Sequence, residues 1–454
     1  MQQQGRWVRL VALVAVILLA ATGCGANRGG GPQPLGGLSD KPVTLRFLWF
    51  DWPPAHALET FANYGYRKAR PNVTVKVDTV PVANWHGAIF RQFAAKRTNF
   101  DIAVLDSQDI GSAVSGGHVL DITNFARANI DLQAYDSFLL AAYGQYPQTV
   151  TGKLDENARL YGLPLLGDAM VMVYRKDLVG QAPPTTFDGM LDVAQACQRR
   201  NHAKGVWGLT FHMANDYDAA AVTYDTVDGV YGGQIWDPTT KRVDGVINDA
   251  AGRRAMNVLV KRMRPLTAPA WANDWIDQVN QRISQGKACI GLNWLTSVTS
   301  LVDPKTSRLG RSKDEILSKL GFAPVPGQVA NPVPLGGMGM HVSAHTTPAR
   351  QAEALNFIKW FERSDTQRAW AVVGGIPARS DALRSPEFLS AAPWNKVYAD
   401  SVPRLRDFWN VPQYARLLGI QSANVNAALT GAKPPQVALD TIAREQQRIF
   451  DGIG

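Results

Sequence analysis

Three short runs near the start of the chain set its fold: VTLRFLW at Val43–Trp49, NVTVKV at Asn72–Val77 and FDIAVLD at Phe100–Asp106. In the first, Val43, Leu45, Phe47 and Trp49 alternate with other residues, the period of a strand with one face in a core. Val73, Val75 and Val77 repeat the pattern, and Ile102 to Leu105 form a short apolar strand ending in Asp106. Between them, Leu58, Phe61 and Ala62 recur at helical spacing up to Pro71, and Trp85, Ile89 and Phe93 share a helix face. Strands alternating with helices predict an open, largely parallel α/β sheet.

The alternation continues outward from this stretch. Met170–Tyr174, Trp207–Phe211 and Ala288–Leu292 read as strands, and 186–199, 248–264 and 349–363 as helices. A last helix over Pro435–Phe450 turns Leu439, Ile442 and Ile449 inward. A chain of 454 residues is too long for one compact core, so two lobes are expected. Hydrophobic residues make up 46% and charged residues 19%, which excludes a disordered chain. Beyond the N-terminus no apolar run reaches the roughly 18 residues of a membrane span.

The N-terminus carries its own address. Arg6 and Arg9 precede an apolar segment from Leu10 to Ala21, and Ala21-Thr22-Gly23-Cys24 follows. This is the pattern of an export signal, and it is similar to the bacterial lipobox, with Ala21 where leucine is usual. Residues 1–23 are therefore read as a signal peptide and 24–41, rich in Gly and Pro, as a flexible tether lipidated at Cys24. Cleavage removes two arginines and no acid, taking the formal charge from +9 to +7. The basic clusters are pairs such as Arg199-Arg200 and Arg253-Arg254, not stripes, so no nucleic-acid partner is expected. Attraction to anionic lipid or wall polymer accounts for the charge. Of the other cysteines, Cys197 reads as helical and Cys289 as a buried strand; two inert buried thiols are expected in preference to a bridge.

Catalytic signatures are lacking. The chain has no nucleophile elbow and no P-loop, and Gly336-Gly337-Met338-Gly339 does not have dinucleotide spacing. His341 and His345 fall in a strand and turn, where four residues span about 13 Å, so a shared metal is not expected.

A series of segments resembles the extracellular solute-binding family 1, whose members include receptors for maltodextrins, disaccharides and glycerophosphodiesters. The resemblance runs from Val43–Trp49 and Phe100–Asp106 through Gly116–Asp121. It is strongest at Tyr161–Asp168 (YGLPLLGD) with Val173–Asp177 and Pro183–Phe187. It continues at Tyr231–Gln234, Gln285–Ile290 with Trp294, Phe322–Gly327, Pro334–Gly337, Ala354–Trp360 and Gly374–Arg379. Arg175 and Phe187 depart from the usual Asn and Trp.

The resemblance implies an α/β, two-lobed periplasmic-binding-protein-like fold with three interlobe crossovers and a central cleft. Its N-terminal lobe would comprise 42–165 and 336–376, its C-terminal lobe 166–335 and 377–454. It implies a monomeric, lipid-anchored substrate-binding protein of an ABC importer on the outer face of the cell membrane, handing a sugar to permease subunits. No cofactor, metal or catalysis is implied. A glycerophosphodiester or phosphorylated-sugar receptor is the alternative, and an exported carbohydrate-active enzyme a third reading.

Sugars offer paired hydroxyls and C–H faces, which carboxylates, amides and aromatic rings match. Asp51 and Trp52 follow the first strand. Asp106 ends the third, and Asp168 lies at the first crossover. Asn215 and Tyr217 sit in a loop after Trp207–Phe211, and Trp294 follows Ala288–Leu292 as a stacking aromatic. Gly336 and Gly337 would let backbone N–H groups approach the ligand. Arg416, in VPQYAR at Val411–Arg416, would serve hydroxyls or phosphate. Leu417 and Leu418 stand where maltodextrin receptors carry an aromatic, which turns the expectation toward a disaccharide, amino sugar or glycerophosphodiester.

Overall fold

A computed structural model describes residues 37–149, 152–155 and 157–452. The export signal, Cys24 and most of the tether lie outside the described residues.

The strands, in chain order, are β1 (Val43–Phe50), β2 (Val73–Val80), β3 (Ile102–Asp106), β4 (Gln145–Tyr146), β5 (Arg159–Leu160) and β6 (Leu163–Arg175). They continue with β7 (Trp207–Thr210), β8 (Ala288–Trp294), β9 (Leu320–Pro324), β10 (Val333–Val342) and β11 (Leu405–Arg406). One sheet follows the order β2-β1-β3-β10-β6-β8-β7, with β11 on β10 and β9 on β6; β4 and β5 form a separate pair.

The helix Pro53–Ala69 joins β1 to β2 and buries Leu58, Ala62 and Tyr66. The helix Val82–Ala94 joins β2 to β3 and buries Trp85, Ile89 and Phe93, as their spacing requires. Such crossovers make β1 run parallel to β2 and β3, and β7 run parallel to β8. The expected largely parallel sheet holds only in those two regions. β10 runs antiparallel to β3 and β6, and β6 antiparallel to β8 and β9. These strands enter through long connections, which leave direction free.

β6 serves both ends of the sheet. Leu163–Ala169 pairs with β10, then Met170–Tyr174 pairs with β8 and Val171–Arg175 with β9. All 13 of its residues are buried, the expected state for a strand covered on both faces. Among the described residues no helix is long and apolar enough to cross a membrane.

Two histidines and two cysteines test the sequence reading. His341 is buried in β10, whereas His345 pairs its Nε2 with His118 Nδ1 at 3.0 Å, so the two do not converge. The expectation of two free thiols is corrected: Cys197 and Cys289 are disulfide-bonded. Their elements are as read, the helix Phe187–Asn201 and β8, but that helix packs across the sheet and brings the two Cα atoms within 6.5 Å.

The bridge closes a loop 92 residues apart in sequence. The Cys197→Ser/Cys289→Ser variant should therefore lose about 2–4 kcal/mol of stability. Its melting temperature should match that of wild type in excess dithiothreitol; equal melting of oxidised and reduced wild type would contradict a structural bridge.

Candidate functional site

The carboxyl ends of β1, β3 and β8 open on one cavity, where ligands bind in open α/β sheets. Its closed part has a volume of only about 40 Å³, within a larger space of about 520 Å³ that includes open solvent. Phe50 ends β1 and Trp52 follows it; Asp106 ends β3; Trp294 ends β8. Asp168, from the middle of β6, and the Gly336-Gly337 pair of β10 complete the floor.

The floor depends on glycine. A Cβ on Gly336 would stand 2.8 Å from the Trp294 ring, and Gly337 has φ +96° with Leu166 O only 2.3 Å from where its Cβ would be. The Tyr143 hydroxyl donates to Gly336 O at 2.5 Å and fixes that peptide. Trp294 therefore packs close against bare backbone at Gly336, and both glycines serve the cavity by having no side chain.

Asp168 is 4% exposed. Its carboxylate accepts the N–H of Ala169 at 2.8 Å, the N–H of Thr296 at 3.1 Å and the Thr296 hydroxyl. Burial nevertheless pushes its pKa up to about 7 against those bonds.

Asp106 accepts the Tyr217 hydroxyl at 2.6 Å. The Tyr217 ring stacks on His86, centroids 4.1 Å apart, although its backbone has φ +30°, a conformation side chains disfavour. His86 Nδ1 is 2.7 Å from Asp109, and its Nε2 is 3.8 Å from Asp106. Burial opposes the imidazolium, but the nearby charges of Asp109, Asp106 and Asp218 outweigh it and raise the His86 pKa. Burial raises the Asp106 pKa in turn. Asp218, also buried, accepts the Trp275 indole N–H at 3.2 Å and has its pKa pushed up to about 7 by burial.

Of the residues chosen from sequence, Trp52, Asp106, Asp168, Tyr217, Trp294, Gly336 and Gly337 line this cavity together. Asp51 is exposed and pairs with His56 at 2.7 Å; Asn215 and Arg416 are exposed, and none of the three lines it. Sequence reading passed over Trp85, Asp218, Trp275, Phe408 and Tyr414, which do line it. Tyr414 opens the helix Tyr414–Thr430 and is buried. Two residues on, Arg416 is turned about 200° around that helix axis. The periodicity that marked Trp85 as core was correct, but the ring also forms cavity wall.

The cluster His86, Asp106 and Asp109 could geometrically hold a cation, its ligand atoms lying within 4.8 Å of one another. The His86–Asp109 ion pair already accounts for two of the three groups.

Residues 61–395 match the family model described as "Bacterial extracellular solute-binding protein". A probable amino-acid ABC transporter periplasmic-binding protein, y4oP of Sinorhizobium fredii, is 25% identical over 349 residues, 71% of this chain and 75% of that one. Among solved structures, maltose-bound MalE3 of T. maritima superposes with a TM-score of 0.77 at 20% identity, covering 89% of this chain and 99% of that one. An ABC transporter solute-binding protein from Agrobacterium radiobacter K84 in complex with ribitol gives 0.77 at 21% identity, covering 92% and 100%. The fold is thus the two-lobed α/β architecture of these receptors, and the chain belongs to the bacterial extracellular solute-binding protein family.

Proposed function

We propose that this chain is the lipid-anchored substrate-binding component of an ABC importer, taking up a sugar or polyol outside the cytoplasm. The observation that carries the reading is the cavity: three aspartates and eight aromatic residues around a floor of bare glycine backbone. Carboxylates pair with vicinal hydroxyls, and rings cover C–H faces. Maltose and ribitol in the two similar receptors support a polyhydroxylated ligand.

In this reading residues 42–165 with 336–376 form one lobe and 166–335 with 377–454 the other. The ligand joins Asp106 and Trp52 on the first to Tyr217, Asp218 and Trp294 on the second. Closure is then favoured by as much as the ligand binds the closed form more tightly than the open one. Permease subunits read the closed monomer, which Cys24 and the tether hold at the membrane. The protein binds and does not turn its ligand over.

The phosphate alternative finds less support. Its cation was Arg416, which lies outside the cavity, and no lysine, arginine or histidine is among the described residues lining it.

Two results are expected. A melting-temperature screen across mono- and disaccharides and linear polyols should reveal a stabilising ligand, and Trp294→Ala should weaken it about tenfold or more, some 1.4 kcal/mol. Gly336→Val should fold yet fail to bind, because its side chain would occupy the place of the Trp294 ring; calorimetry measures both. No stabilisation by any polyol, or full affinity in Gly336→Val, would refute the assignment.

A further inference from the structure

We infer that the ligand of this cavity is a cation, an aminated sugar or amino polyol whose ammonium group is held between Asp106 and Asp218 against the surrounding rings. The inference rests on the polyol-receptor reading and narrows it to one charge class.

The charge count within the cavity motivates it. Asp106, Asp168 and Asp218 line the wall, each less than a tenth exposed, with no lysine, arginine or histidine among the described lining residues. The nearest positive charge is His86, behind the wall, and it sits 2.7 Å from a fourth carboxylate, Asp109. One imidazolium thus faces three carboxylates, Asp106, Asp109 and Asp218. Uncompensated buried charge is costly, so each surplus carboxylate must be matched by a proton or by a cation from outside.

The three carboxylates are not equivalent. Asp168 is occupied by Ala169 and by both donors of Thr296, which suits a fixed role in the floor. Asp106 takes the Tyr217 hydroxyl, and Asp218 the Trp275 indole and its own backbone N–H. A carboxylate accepts about four hydrogen bonds, so both keep capacity for an ammonium group.

The walls fit the same guest. Tyr217, Trp275, Tyr414, Trp85, Trp52 and Phe50 surround the two carboxylates, and desolvated aromatic faces attract cations. Among the described residues the buried indole N–H of Trp85 has no acceptor.

Proton linkage follows with a definite sign. Asp168 and Asp218 have pKa values raised to about 7 by burial, and that of Asp106 is raised as well. The other titratable groups facing them are His86, Asp109, Asp216, Tyr143, Tyr217, Tyr398 and Tyr414. A cation binds the ionised carboxylates and must displace their protons, so its affinity should rise from about pH 6 to about pH 8.

Calorimetry on the full chain, dialysed against EDTA, tests the inference with matched pairs: D-glucamine against D-sorbitol, and trehalosamine against trehalose. At pH 7.5 at least one amine should bind about tenfold or more tightly than its neutral parent, about 1.4 kcal/mol. N-acetylation should abolish the gain. Asp218→Asn should cut the amine-to-parent ratio to about threefold or less; Asp106→Asn provides the same reading if that variant does not fold. Equal binding of amine and parent, or an unchanged ratio in both variants, overturns the charge assignment and leaves the polyol receptor standing. Binding of neither amines nor neutral polyols overturns the receptor reading itself.

Discussion

The antiparallel pairing of β6 with β10 is the constraint on which the molecule depends. Gly167 faces Gly337 and Asp168 faces Gly336 across this ladder. Beyond them β6 leaves β10 and takes β8 and β9 as partners. The same few residues therefore carry the chain from one end of the sheet to the other and form the cavity floor.

The electrostatics of the site run against those of the chain as a whole. The sequence is basic, with a formal charge of +9, yet the cavity wall holds carboxylates and no basic side chain among its described residues. Buried carboxylates near neutral pKa are a reservoir of unspent interaction. They persist because neighbouring groups constrain them: Thr296 on Asp168, Tyr217 on Asp106, Trp275 on Asp218. Each of these partners also helps to close the cavity or brace its floor, so packing and polarity are not separable here.

Much of this was legible in the sequence, for reasons that differ by residue. The alternation at Val43–Trp49 and Val73–Val77 and the helical face of Trp85, Ile89 and Phe93 report burial directly, and the structure keeps them. β6 was read only from Met170, because Pro164 and Gly167 interrupt its apolar pattern; the strand begins at Leu163. Strand direction was not legible in the middle of the sheet, since it is set by long connections and leaves no periodic mark. Asp106 and Trp294 could be chosen because strand ends face the cavity. Trp275, Phe408 and Tyr414 could not, because they lie on helices and loops whose orientation is decided by tertiary packing. Arg416 illustrates the cost of a two-residue slip on a helix.

The link between Cys197 and Cys289 reaches beyond the helix and strand it joins. Cys289 and Trp294 belong to the same seven-residue strand, β8, which pairs with β6 over Ile290–Trp294. The ring that covers the cavity floor thus hangs from a strand that is covalently clamped from behind. In an oxidising compartment this clamp persists, whereas a reducing cytosol keeps it open. Formation of this brace is thereby tied to the redox state of the compartment: a chain kept reduced would carry the same residues on a looser scaffold. Protein folded under reducing conditions would then lack the covalent brace behind Trp294.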